Sequence, residues 1–158
     1  MIPFDDSRLT AMGLLAEVHG GLAAKTRSTF AAAGLSDIDF ETLLRLARSP
    51  GGRLRMSDLA AQTNLSTSGM TRVVDRLERD GLVARQACPE DRRASYAAIT
   101  DAGAERLATV VPRHLDDIET WFTGLLPPAR LDAFLDALRV IRDAVRPCAT
   151  AGVEDHTG

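Results

Sequence analysis

Between Ser57 and Gly81 the chain carries two short helical patterns on either side of a tight turn, and this pair restricts the possible folds more than any other stretch. Ser57 is placed to cap a short helix holding Leu59 and Ala60, and Thr63-Asn64 makes the turn. A second helix follows from about Thr67 to Asp80, with Ser66 as N-cap and Gly81 as its stop. Leu65 and Met70 then occupy the two positions of a hydrophobic staple. Met70, Val73, Val74 and Leu77 fall at i, i+3, i+4 and i+7, which is one buried helical face.

At about 100° per residue, the opposite face carries Ser68, Arg72, Asp75 and Arg79, flanked by Thr71 and Arg76. Its first half is rich in small hydroxyl residues: Ser66, Thr67, Ser68 and Thr71. Small residues allow close approach to a duplex, hydroxyls reach phosphate or base edges, and arginine forks onto guanine. An ordinary amphipathic helix with a solvated face is the competing description of this segment alone. The preceding short helix and turn favour a helix-turn-helix, which is a positioned pair.

The surroundings extend the pattern. Ser7 to about Ala33 reads as a long helix ended by Gly34, with Leu14, Leu15, Val18, Leu22 and Phe30 near helical spacing. Ser36 with Asp39 forms a capping-box arrangement for a second helix, whose apolar face is Phe40, Leu43, Leu44 and Ala47. Ser49-Pro50-Gly51-Gly52 breaks it, and residues 53–56 alternate as a very short strand would. Residues 82–85 and 95–99 can pair as antiparallel strands around a polar hairpin containing Asp91-Arg92-Arg93. Thr100 caps a fifth helix, apolar from Leu107 through Trp121, Phe122 and Leu125. After Pro127-Pro128 a sixth carries Leu131, Phe134, Leu135, Leu138, Ile141 and Val145.

The expected fold class is therefore mainly α: a winged helix-turn-helix domain over 36–100, flanked by dimerisation helices at 7–33 and 101–146, with a loose polar tail at 147–158. The first and sixth helices have apolar stripes larger than the small middle can cover. Left exposed they would exceed the patch size that monomers tolerate, so a two-fold homodimer is expected.

Charge agrees in sign. The chain as a whole carries a net charge of -3, yet residues 53–93 hold 8 basic and 6 acidic side chains, a local excess of +2. The remainder is acidic, which suits a module that meets phosphate with one face. An arginine on a hairpin tip can enter the minor groove, where negative potential is strongest, and a neighbouring carboxylate can fix its pose. Arg93 is the first candidate for that role, Arg92 the second, and Asp91 the orienting partner.

These pieces resemble the MarR family of bacterial regulators. The resemblance runs from Leu35 to Leu107. It rests on Leu59-Ala60, on Leu65-Ser66-Thr67-Ser68, and on Thr71-Arg72-Val73-Val74-Asp75-Arg76-Leu77-Glu78-Arg79-Asp80-Gly81-Leu82-Val83. Asp91-Arg92-Arg93 and Ile99-Thr100-Asp101-Ala102-Gly103 complete it. The resemblance implies a triangular homodimer on double-stranded DNA with a near-palindromic operator, the recognition helix in the major groove and the wing arginine in the minor groove. Carried over by position, Ser66, Thr67, Ser68, Thr71, Arg72 and Arg76 are the major-groove and phosphate candidates. The resemblance also implies repression released by a small ligand or by oxidation.

Three triggers are open. A small organic anion would bind where the first, second and fifth helices meet the winged domain, with His19 as a polar contact. Oxidation would need a reactive thiol; Cys88 lies near the wing arginines, and Cys148 stands far from it. A regulatory zinc would need three or four converging ligands, whereas Glu17 with His19 and His114 with Asp117 supply two each, and His156 stands apart. No cofactor is expected otherwise. An enzyme is the main alternative class, but the chain has no Gly-rich phosphate loop, nucleophile elbow or HExxH motif, and Ser66 and Ser68 have no histidine nearby in sequence. An architectural or protein-interaction winged module is the other. The opening MIPFDDSRL is unlike a signal peptide, and no apolar run approaches the ~20 residues that span a bilayer, so a cytoplasmic protein is expected.

Overall fold

The computed structural model describes residues 4–88, 91 and 94–150. Six helices and a small sheet follow in the order α1 (Ser7–Ala32), α2 (Asp37–Ala47), β1 (Arg53–Arg55), α3 (Met56–Thr63), α4 (Thr67–Arg79), β2 (Val83–Ala87), β3 (Ser95–Ile99), α5 (Asp101–Trp121) and α6 (Pro128–Val145). Short 3₁₀ turns stand at Pro50–Gly52, Thr123–Leu125 and Pro147–Thr150. The mainly α fold class and the order of elements match the sequence-based expectation.

Local chemistry sets most boundaries. The Ser36 hydroxyl accepts from the Asp39 amide at 3.2 Å, while the Asp39 carboxylate accepts from the Ser36 amide at 3.0 Å, so two otherwise unpaired donors at the start of α2 are satisfied. Thr100 Oγ1 accepts from the Gly103 amide at 3.1 Å and opens α5. Gly34 closes the α1 corner at φ 71° and Gly81 the α4 corner at φ 74°, in the left-handed region. Gly103 is fixed by a neighbour, because a Cβ there would overlap the Leu82 carbonyl.

Three expectations need correction. Ser57 does not cap α3: β1 runs directly into the helix, Arg55 occupies the N-cap position, and no side chain caps it. The fifth helix stops at Trp121 because Phe122 leaves the helical region (φ -140°, ψ -76°), so Phe122 and Leu125 belong to the corner before α6. The short strand expected at 53–56 joins the expected antiparallel pair in one sheet, in the order β1-β3-β2, with Leu54 opposite Ala97 and Arg85 opposite Ala97 on the other edge. The second strand lies at 83–87 rather than 82–85, since the Leu82 amide closes the α4 corner onto Leu77 O at 2.8 Å.

The core sits between α2, α3, α4 and the sheet, with Phe30, Leu107 and Val110 sealing it from α1 and α5. Leu43, Leu46, Leu59, Met70, Val74 and Ala97 are all fully buried. The long terminal helices are the opposite case. Phe30 is the buried residue of α1, and α6 has none.

Candidate nucleic-acid interface

Helix α4 is held by its inner face. Met70, Val73, Val74 and Leu77 are buried as their spacing requires, which turns Arg72, Asp75 and Arg79 outward. At the start of the helix the Ser66 hydroxyl accepts from the Gly69 amide at 3.1 Å and lies 3.2 Å from the Ser68 hydroxyl. The Thr71 hydroxyl donates to the Thr67 carbonyl at 2.9 Å. Ser66, Thr67 and Ser68 are exposed and Thr71 half-buried, so four hydroxyls stand together at the end of α4 where amide groups favour an anion.

The three arginines of α4 have different fates. Arg76 donates through Nε and Nη2 to one oxygen of Asp39, at 3.2 and 2.5 Å. Burial alone would raise the Asp39 carboxyl, but hydrogen bonds from Arg76 and Ser36 outweigh it and hold that group below the usual carboxylate range. Arg76 thus fastens α4 to the capping box of α2. Arg72 and Arg79 are exposed and, among the described residues, form no ion pair.

The acidic residues of the same face are engaged from outside the helix. Arg85 on β2 donates to Asp75 at 2.6 Å and to Glu78 at 2.5 Å, and its own amide donates to Glu78 at 3.1 Å. Burial tends to lower the Arg85 guanidinium, and the two carboxylates reverse that and raise it. This fork joins the root of the β2–β3 hairpin to α4 and offsets two negative charges that would repel phosphate. The sequence reading missed it, because residues ten apart on a helix and a strand share no periodicity.

Asp91 lies on the hairpin, and its carbonyl accepts from the Ala94 amide at 3.0 Å. Arg92 and Arg93 lie outside the described residues. Cys88, at the end of β2, is buried, and Cys148 is exposed.

A second feature lies between α1 and α5. A cleft of about 280 Å³ is lined by His19, Leu22, Thr26, His114, Ile118 and Phe122, with Asp117 at its edge. His19 is exposed at the mouth. The His114 ring packs at 4.9 Å from both Phe30 and Phe40, and its buried Nδ1 has no hydrogen-bond partner. Burial pushes its pKa down, partly opposed by Asp117, so the ring is neutral near pH 7. Asp117 is held by Thr29, whose hydroxyl donates at 2.5 Å. Among the described residues no three His, Cys, Asp or Glu side chains converge as a metal would require, and His156 lies outside them. Among the described residues no helix is long and apolar enough to cross a membrane.

A short helix, an αL turn at Asn64, a second helix that exposes Arg72 and Arg79, and an adjoining β-hairpin together define a winged helix-turn-helix protein of the nucleic-acid-binding class. Comparison with known proteins makes the class specific. The MarR family model matches residues 33–94. The structure of AbsC, a MarR family transcriptional regulator from Streptomyces coelicolor, superposes with a TM-score of 0.85 at 33% identity, covering 93% of this chain and 99% of that one. Sco3205 from the same organism, a MarR family regulator solved in complex with DNA, gives a TM-score of 0.84 at 28% identity over 91% of each chain. The repressor YetL of Bacillus subtilis is 35% identical over 89 residues, 56% of this chain and 53% of that protein. The chain spans about half the length of the curated relatives it matches first. It belongs to the MarR family of transcriptional regulators.

Proposed function

We propose that this chain is a sequence-specific DNA-binding repressor that acts as a homodimer on a near-palindromic operator and is released by a small organic effector. The observation that carries the reading is the outward face of α4: four hydroxyls at its start, Arg72 exposed beside them with no ion pair among the described residues, and both neighbouring carboxylates taken up by Arg85. Ser66, Thr67, Ser68, Thr71 and Arg72 are assigned to the major groove and its phosphates. Arg76 is assigned to holding α4 in place through Asp39. Arg93 and Arg92 are assigned to the minor groove, with Asp91 orienting them.

The dimer is supported by what the chain leaves uncovered. On α1, Leu9, Met12, Leu14, Leu15 and Val18 are exposed, as are Val140, Ile141 and Val145 on α6. Residues 7–33 and 101–146 are therefore assigned to dimerisation and 36–100 to DNA reading; the loose tail expected over 147–158 is corrected at its start, because Pro147–Thr150 forms a 3₁₀ turn with Ala149 buried, and the rest lies outside the described residues. The effector is assigned to the cleft between α1 and α5, with His19 as a polar contact. An intracellular site of action in the cytoplasm goes with this reading, and no catalytic step does.

Selection of duplexes from a random pool by the purified protein, followed by gel-shift titration, tests it. The expected product is an inverted repeat. Arg72→Ala is expected to cost about 1–3 kcal/mol of binding and to relax base preference at one position of each half-site. Enrichment of no sequence at all would refute the reading.

A further inference from the structure

The end of α6 returns to the DNA-reading domain. Pro147 disfavours the helical conformation for the residue before it, and Arg146 leaves the helix at φ -144°, ψ 67°. Its guanidinium then reaches back across the molecule: Nη2 donates to the Ala61 and Gln62 carbonyls, each at 3.0 Å. These belong to the last turn of α3, where a helix lacks internal donors for its carbonyls and favours a cation. Ala149 is buried beside it, and its carbonyl accepts from Arg45 Nη1 of α2 at 3.4 Å. The segment Pro147–Thr150 is thus a strap between α6 and the corner of the helix-turn-helix.

The location matters mechanically. Asn64 turns the chain immediately after α3, and α4 is capped two residues later by Ser66. Whatever holds the last turn of α3 holds the origin of the recognition helix. At the opposite end of α4 the start of α5 is a further link, where Gly103 lies against the Leu82 carbonyl, while Phe30 of α1 and His114 of α5 pack on Phe40 of α2 between them. A link at the α3 end of α4 opposes a hinge that the α5 end alone would leave open. Because α6 buries no residue of its own against this chain, the strap is its attachment to that corner.

We propose that Arg146 is a positioning residue for DNA reading, which fixes the angle between α6 and the recognition helix and so the spacing at which a pair of chains reads its two half-sites. This rests on the dimeric DNA-binding reading above. Two recognition helices must lie about one DNA turn apart, and a hinge at α3 would blur that distance.

The test uses full-length protein and the inverted repeat that the wild type selects, with the centre of the repeat lengthened or shortened by one base pair. Wild type is expected to bind the altered spacings about tenfold or more weakly than the native one, because the second site is engaged only when geometry permits. Arg146→Ala is expected to bind all three alike within about threefold, while its affinity for a duplex with a single half-site stays unchanged. Arg146→Lys, which keeps a cation without the fork, is expected to fall between them. Circular dichroism and light scattering check that fold and dimer persist. Full spacing preference in a folded Arg146→Ala dimer would overturn the assignment. So would unfolding of both variants, since Arg146 would then be needed for the fold itself. Failure of wild type to select any duplex would instead remove the DNA-binding reading on which it stands.

Discussion

In the reading domain Leu43, Leu46, Leu59, Met70 and Val74 are 0% exposed, whereas Val140 and Val145 of α6 keep 71% and 69% of their surface in solvent. Both regions are helical and comparably apolar in sequence, yet one closes on itself and the other does not. The difference follows from geometry. Around α4, α2, α3 and the sheet approach from several directions, so each apolar stripe meets another. α1 and α6 each present a stripe along a long rod, and α5 covers only the Phe30 end of the first. A single chain completes its reading head and leaves its platform uncovered, which is the observation behind the proposed homodimer.

The largest effect expected from this contrast is on stability. Leu59→Ala or Leu77→Ala should cost about 2–5 kcal/mol in denaturant unfolding, because both sites are closed and cannot relax around the cavity. Val145→Ala should leave the unfolding of a monomer nearly unchanged. A large loss there in a monomeric sample would break the comparison.

Next in size is the platform. Charges placed in both stripes, Leu15→Asp together with Ile141→Asp, should yield folded monomers whose operator affinity falls about a hundredfold, the avidity of two joined sites being lost. Light scattering and gel-shift titration read the two quantities separately.

A smaller effect separates two arginines of one helix. Arg76→Ala should cost stability through the loss of its Asp39 contacts, and Arg72→Ala should leave stability unchanged within about 0.5 kcal/mol while weakening operator binding. Equal melting temperatures for the two variants would contradict the division of roles.

The smallest is a pH effect. Asp39 has its folded pKa held below the ordinary carboxylate value, so its contribution is present above about pH 4 and is lost as pH falls through the depressed value. His114 also has a lowered folded pKa. Its neutral ring therefore contributes stability present above about pH 6.5, which declines as pH falls toward its folded value. Unfolding of Asp39→Asn should lose the acid-limb dependence that wild type shows, and His114→Phe should flatten the region just below pH 6.5.

Local signals carried much of this molecule into view from the sequence. The four apolar residues of α4 lie inside, the Ser36–Asp39 capping box has both its bonds, and Gly34 and Gly81 close their helices. Each is a relation among residues a few positions apart, where helical repeat and backbone conformation dictate the outcome. The relations that tune the interface are of another kind. Arg76 with Asp39, Arg85 with Asp75 and Glu78, and Arg146 with the α3 carbonyls join elements brought together only by the finished fold. Arg76 illustrates the limit: its position beside the outward face was legible, and its bond to a carboxylate 37 residues upstream was not. Ser57 illustrates another, since a serine before a helix caps it only when the strand leading in leaves a turn for it.

The central claim is that two copies of α4 read one duplex as a symmetric pair. Sedimentation of the protein with a duplex carrying the selected inverted repeat, and with the same duplex reduced to one half-site, measures this directly. Two chains on the full repeat, with affinity about a hundredfold lower on the half-site, is the predicted result. One chain per duplex, with the same affinity for both, would contradict it.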